Sequence, residues 1–391
     1  MKKTILLLLS YFFVAILASM TTMAVTDLQK PDSYSKLEEL EGLILTRFIG
    51  EAEEEMLENA AAEGMIESLD DRWSYYMSPE EFILHMEQSN NAYVGIGVTI
   101  SQEEGVDGFV IQVVNEDGPA DRAGLQVKDV IVAVDGISTL QLDTSEGRNL
   151  VRGEAGTEVL ITVRRDSQEL TIPVIRQEVQ TPVATYEMLP DHVGLIQIEN
   201  FDARCAEETI AAIEALLEQG ATRLIFDVRG NPGGYAREMV KVLDYLLPEG
   251  DLFRTVDYQG TENVDRSDAA HLDIPMAVLV NADSYSAAEF FAAALREYDA
   301  AIVVGEQTSG KGYFQYTYEL KDGSGVGLSV GKYYTPKGES LEKVGITPDV
   351  VVTVTQEQAA EIYYGLLPHE EDPQLQAAIE ALIRGFNKTL S

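Results

Sequence analysis

The sequence predicts a multidomain α/β protein: a helical N-terminal segment, a small β-rich module, and an α/β core with parallel strands. Residues 33–87 carry apolar residues at helical spacing among many glutamates, as in Leu37, Leu40, Leu43, Leu45 and Ile49, with few turn signals. From Tyr93 to about Val179 the pattern switches to short β-like runs separated by Gly-Pro and Asp-Gly turns. Beyond Thr181 strands alternate with helices, which argues for parallel strands joined by crossovers. A length of 391 residues suits two or three domains. The expected division is 1–24, 25–84, 85–178, 179–371 and 372–391, the last an amphipathic helix.

The composition, 45% apolar and 24% charged, is that of a globular chain. Against 28 Lys plus Arg stand 66 Asp plus Glu, a net charge of −38, which repels phosphate backbones and anionic headgroups. Nucleic acid is therefore not an expected partner. Cys205, the only cysteine, excludes an internal disulfide and falls short of a metal site; without a nearby His or Asn as base it reads as a small buried side chain.

Lys2 and Lys3 precede an apolar run from Ile5 to about Met20, followed by Thr22-Met23-Ala24, the pattern of a secretory signal. An exported, periplasmic or extracytoplasmic protein is expected, with an uncleaved membrane anchor through residues 4–20 as the alternative. Further on, Ser78 as N-cap, Pro79 in the first turn and Glu81 completing a capping box mark a helix start, read as a docking helix.

In the β-rich module the strand candidates are Gly97–Ile100, Phe109–Val114, Val130–Val134 and Val159–Val163. Gly95-Ile96-Gly97-Val98 places two glycines just before the first, so that successive N–H groups can turn toward one anion. The run Gly118-Pro119-Ala120-Asp121-Arg122-Ala123-Gly124-Leu125, with Lys128-Asp129-Val130-Ile131 and Val134-Asp135-Gly136, resembles the PDZ family over most of 93–165. The resemblance implies that an extended peptide adds beside Gly97–Ile100, its terminal carboxylate held at Gly95, Ile96, Gly97 and Val98.

In the core, strands at Gly194–Ile198, Leu224–Asp227, Ala277–Val280 and Ala301–Val304 alternate with helices near 206–219, 236–247 and after Ser286. Gly305 to Lys311 spells a phosphate loop, but Gly312 stands where a Mg²⁺-binding hydroxyl belongs, which argues against nucleotide. A neutral lysine can instead serve a serine as base, provided burial lowers its pKa; Val303, Val304, Tyr313 and Phe314 give Lys311 apolar flanks. Ser286 lies at the start of an alanine-rich helix, where free N–H groups favour an oxyanion. Spacing alone also allows Ser284 or Ser286 to be merely the helix cap.

The chain resembles the carboxyl-terminal processing peptidases over about 33–390, which implies a crotonase- or ClpP-like α/β fold for the core. Ser284-Tyr285-Ser286-Ala287-Ala288-Glu289 stands where that family has Ser-Ala-Ser-Ala-Ser-Glu. Lys311 follows Ser286 by 25 positions, as the family's base does, and Gln315 follows Lys311 by four. Asp227-Val228-Arg229-Gly230-Asn231-Pro232-Gly233-Gly234 reproduces the family signature, and Tyr333–Gly338 and Gly345–Val350 match two further strings. The resemblance implies Ser286 as nucleophile, Lys311 as base, Gln315 orienting it, and an oxyanion hole from Gly233, Gly234 and Ala287. It further implies endoproteolysis near the C-terminus of an exported or poorly folded protein, with no metal and no organic cofactor. Tyr285 and Ala288 depart from the family string and put substrate preference in doubt.

A Ser/His/Asp hydrolase using His271 and Asp273 lacks a GxSxG elbow, and His85, His192, His271 and His369 lie in polar segments expected to be exposed. A PDZ scaffold on an inactive core is the other alternative. The residues leave a homo-oligomer open.

Overall fold

A computed structural model of the chain describes residues 35–103 and 105–384. The signal or anchor segment 1–24 and the end of the expected last helix, 385–391, lie outside the described residues.

The core is built on a six-stranded sheet. Val193–Ile198, Arg223–Asp227, Met276–Val280, Ala301–Gly305 and Val350–Val351 run parallel in that order, and Ala184–Leu189 closes one edge antiparallel. Side chains alternate across it, as the pleat requires. Leu224, Phe226, Val278, Val280 and Val303 face one apolar cluster, packed against the helices Cys205–Glu218, Ala236–Leu246 and Ala287–Glu297. Ile225, Ala277, Leu279, Ile302 and Val304 face the other, under the helix Pro373–Ile383. Both faces being covered, Met276–Val280 and Ala301–Gly305 are buried throughout, which explains their unbroken apolar runs.

A second sheet is antiparallel and joins Tyr75–Met77, Gly325–Tyr334, Gly250–Asp257 and Glu262–Ser267, with Tyr313–Glu319 also on Gly325–Tyr334. It corrects the all-helical reading of the N-terminal segment. After the helices Ser35–Arg47 and Glu54–Glu67 the chain runs as a strand, Tyr75 opposite Gly327, before the helix Pro79–Ser89. That strand is three residues long, too short to show a period of its own, and tertiary pairing fixes it. The Ser78 capping box forms as expected, with Ser78 N–H donating to Glu81 and Glu81 N–H to Ser78 Oγ. Leu40, Leu43 and Leu45 of the first helix are exposed in this single chain. Among the described residues no helix is long and apolar enough to cross a membrane.

The β-rich module has the strand order Val98–Ser101, Phe109–Val114, Val130–Val134, Glu158–Arg165, Gln168–Ile175, around a core of Ile96, Phe109, Ile111, Ile131, Ile161 and Val163. Val98–Ser101 is an edge strand of this sheet. A two-stranded stem, Ala92–Gly95 with Gln177–Gln180, connects the module to the rest.

Candidate active site

Two loops leave the carboxyl ends of neighbouring parallel strands, the crevice where open α/β sheets bind ligands. One follows Asp227, the other follows Val280, and they are bonded to each other: Gly230 N–H donates to Asn281 Oδ1 at 2.9 Å and Tyr285 N–H to Asn231 O at 3.2 Å. The Asp227–Gly234 signature divides its work. Arg229, almost fully buried, pairs with Asp227 at 2.5 Å and with Asp372, the N-cap of the last helix, at 2.9 Å. These charges fasten the loop to the core; the neighbouring carboxylates hold the guanidinium pKa up against burial. Gly233, held by Asn231, lies on the other side, against Ser286.

Ser286 is buried and adopts φ 58°, ψ −125° immediately before the helix Ala287–Glu297. A non-glycine residue at positive φ between a strand and a helix costs roughly 1–3 kcal/mol, and such strain collects at active sites. The strand-turn-helix is the shape of a nucleophile elbow without the glycine pattern that announces one. Ser284 is not the cap: its Oγ donates to Val228 O at 2.7 Å and accepts from Asn281 N–H. Gly233, φ 94°, abuts the serine so closely that a Cβ there would lie 2.8 Å from Ser286 Cβ and 3.0 Å from Ala287 N. Its N–H donates to Asn231 Oδ1 at 2.8 Å. Gly234, φ 139°, bridges Phe201. Ala287 opens the helix, where N–H groups have no intrahelical acceptor.

Sequence reasoning missed Glu289. Its carboxylate is fully buried and accepts four hydrogen bonds. Oε2 takes Ser286 N–H at 2.9 Å and Lys311 N–H at 2.8 Å; Oε1 takes Gly310 N–H at 2.8 Å and Thr308 Oγ1 at 2.5 Å. Thr308 Oγ1 in turn accepts from Ile346 N–H, so its proton points to Glu289. Burial pushes the Glu289 carboxyl above its usual range while the four donors pull it back. From sequence it reads as a capping-box glutamate three positions after Ser286, which conceals its second task of holding the Lys311 loop.

The Lys311 amine lies 4.9 Å from the centre of the Trp73 ring and 5.8 Å from that of Tyr285. Burial lowers its pKa to about 8, against the pull of Asp71 and Glu289. Gln315 donates from its amide nitrogen to Tyr313 O at 3.2 Å and Ser329 Oγ at 3.1 Å. Among the described residues none of the four histidines bonds Ser286. His192, His271 and His369 are exposed, but His85 is half-buried against Tyr75, contrary to expectation, and burial lowers its pKa. Cys205 is buried, its thiol pushed up to about 12 by burial, with Thr209 beside it.

In the β-rich module a groove of about 900 Å³ runs between the Val98–Ser101 edge and the helix Thr144–Val151. Gly95, Ile96, Gly97 and Val98 form one end of it, Ile96 with its side chain in the core and its carbonyl bonded to Ala120 N–H. Gly97 has φ 74°.

The chain matches the models of peptidase family S41 over residues 192–352, of the PDZ domain over 110–165, and of the activating protease CtpB N-terminal domain over 16–81. A carboxyl-terminal-processing protease from Picosynechococcus sp. is 34% identical over 326 residues, 81% of this chain and 77% of that one. The carboxy-terminal processing protease CtpA of Bacillus subtilis is 32% identical over 363 residues, 90% and 78% of the two chains. A solved structure from Bacteroides fragilis described as an S41 protease shares the fold at a TM-score of 0.51, 18% identity and coverage of 83% and 90%. With this likeness spanning a PDZ domain and an α/β core whose parallel-strand loops meet at Ser286, the chain belongs to the carboxyl-terminal-processing family of serine-type peptidases.

Proposed function

We propose that this peptidase is exported and cleaves exported proteins near their C-termini through a Ser286/Lys311 acyl-enzyme. The observation that carries the reading is the Glu289 carboxylate, which binds the backbone of both residues while the Lys311 amine sits desolvated beside the Trp73 and Tyr285 rings. With a pKa of about 8, roughly one Lys311 amine in ten is neutral at pH 7. That amine takes the Ser286 hydroxyl proton as Oγ bonds to the scissile carbonyl carbon, and the carbonyl electron pair moves onto oxygen. The tetrahedral adduct collapses, the C–N bond breaks, and the Lys311 ammonium returns the proton to the leaving amine. Water, deprotonated by the same amine, then releases the acyl group.

The oxyanion falls to the N–H groups of Ala287 and of Gly233 and Gly234. Gly233 N–H is bonded to Asn231 Oδ1, and the Gln315 amide to Ser329 Oγ. In this reading both exchange partners when a peptide enters, because catalytic hydrogen bonds often tighten only in the complex. The PDZ groove presents Gly95–Val98 to the substrate's terminal carboxylate. Mass spectrometry of exported proteins from cells with and without Ser286→Ala tests the whole reading: C-termini should lengthen on particular proteins. Unchanged C-termini would sink it.

A further inference from the structure

Asp71-Arg72-Trp73-Ser74 joins the helix Glu54–Glu67 to the strand Tyr75–Met77 and is fixed to the core at several points. Asp71 folds the segment into an Asx turn, accepting Trp73 N–H at 3.2 Å and the Ser74 hydroxyl at 2.6 Å. Ser74 Oγ accepts Ser329 N–H at 3.1 Å, and Ser329 Oγ accepts the Gln315 amide at 3.1 Å. Arg72 donates to the carbonyls of Ser309 at 3.4 Å and Gly310 at 3.5 Å, the two residues before Lys311. The strand that follows pairs Tyr75 with Gly327 and Tyr76 with Val326. The turn is therefore held over the lysine loop.

Trp73, the only tryptophan of the chain, occupies the middle of this turn. One side of its ring meets the Arg72 guanidinium, 4.0 Å from the centroid. It stacks on Tyr285 at 6.3 Å and 27°, and the Lys311 amine lies 4.9 Å from its centre. The indole Nε1 is buried without a hydrogen-bond partner among the described residues. An unsatisfied buried donor is normally selected against, so packing of the ring, not bonding of its N–H, explains why it is there.

We infer that Trp73 is a positioning residue of the catalytic pair: its ring, together with Tyr285, shuts water away from the Lys311 amine and confines it against the residue next to Ser286. The inference rests on the Ser286/Lys311 reading above. Carboxylates of Asp71, Glu289 and Glu342 all favour the charged amine, Arg72 opposes it, and burial outweighs the carboxylates to leave the amine at about 8. A ring face attracts a cation, so Trp73 can lower the amine's basicity only by excluding water.

The test uses the full chain. Trp73→Ala opens the amine to water, so the rate inflection should rise by one unit or more, kcat at pH 7 should fall at least tenfold, and KM should change less. Much of the loss should return at pH 9.5. Trp73→Phe restores a ring without the N–H and should bring the inflection back toward the wild-type value; Trp73→Leu serves if the alanine variant does not fold. An unshifted inflection in Trp73→Ala and Trp73→Leu overturns the inference, and so does a phenylalanine variant as impaired as alanine, which would make the indole N–H the working group. Titration of the Lys311 side chain by NMR in the Ser286→Ala protein, with and without Trp73→Ala, reads the amine without turnover. No movement there refutes the role of Trp73, whereas movement together with activity surviving Lys311→Ala refutes the catalytic pair instead.

Discussion

Glu289 Oε2 accepts the backbone N–H of Lys311 at 2.8 Å, so a buried acid in the first turn of one helix fixes a loop 22 positions later. All four groups around that carboxylate are donors, and only an ionised acid accepts from all of them. Glu289→Gln keeps the shape but turns an NH₂ toward two of those donors. Each unsatisfied buried donor costs about 1–3 kcal/mol, so the variant should lose roughly 2–4 kcal/mol in urea unfolding. It should also lose most of its activity at temperatures where it remains folded. Stability within about 0.5 kcal/mol of wild type would show that the carboxylate is not the joint described.

In the proposed mechanism the Lys311 amine sets the pH dependence. Burial lowers it from 10.5 to about 8, so the folded state carries the cost of a desolvated ammonium. The cost is complete below pH 8, where folded and unfolded chains are both protonated; it shrinks between pH 8 and 10.5 and vanishes above. At about 1.36 kcal/mol per unit, discounted for partial exposure, Lys311→Met should stabilise the protein by about 1–3 kcal/mol at pH 7. The same variant should gain nothing above pH 10.5, and its peptidase activity should be gone. Wild-type kcat/KM should rise through about pH 8. A Lys311→Met protein less stable at pH 7 than at pH 11, relative to wild type, would contradict this.

Gly233 has no room for a side chain. A Cβ there meets Ser286 Cβ at 2.8 Å and Tyr285 O at 2.9 Å, and φ of 94° is strained for any other residue. Gly233→Ala must displace the nucleophile or the loop, and a shift of about 1 Å can cost a hundredfold in rate. The expected result is kcat lowered at least a hundredfold with peptide binding in the PDZ groove unaltered. Near-normal kcat would mean that the loop is not packed on Ser286 during turnover.

Much of this was legible because burial writes plainly in sequence. Met276–Val280 and Ala301–Gly305 are covered on both faces, so their strands appear as unbroken apolar runs. The second sheet left no such trace. Gly250–Asp257 is largely half-buried and Tyr313–Glu319 largely exposed, and shifts in register near Asp251 and Phe314 break their alternation. Ser286 and Lys311 stood out through family spacing, whereas the sequence reading gave neither Glu289 nor Trp73 a role. Both depend on neighbours far along the chain, the Lys311 loop in each case, which no local pattern reports.

The last expectation concerns the PDZ groove. Val98–Ser101 is an edge strand, and beside it Gly95, Ile96, Gly97 and Val98 close one end of the 900 Å³ groove. Gly97 at φ 74° lets the chain turn there, and the carbonyls of Ile96 and Gly97 are bonded inward to Ala120 and Asn115. A terminal carboxylate docked at this end would be held by N–H groups and not by a particular side chain, so affinity should follow the terminal charge. Two peptides of one sequence, one ending in carboxylate and one in amide, differ only in that contact. The full-length Ser286→Ala protein, expected to bind without cleaving, should favour the carboxylate by about 1–3 kcal/mol, a charge-assisted set of bonds. The active enzyme should show the same preference in kcat/KM. Equal binding and equal cleavage of both peptides would reduce the Gly95–Val98 loop to a turn and move recognition of the substrate into the α/β core.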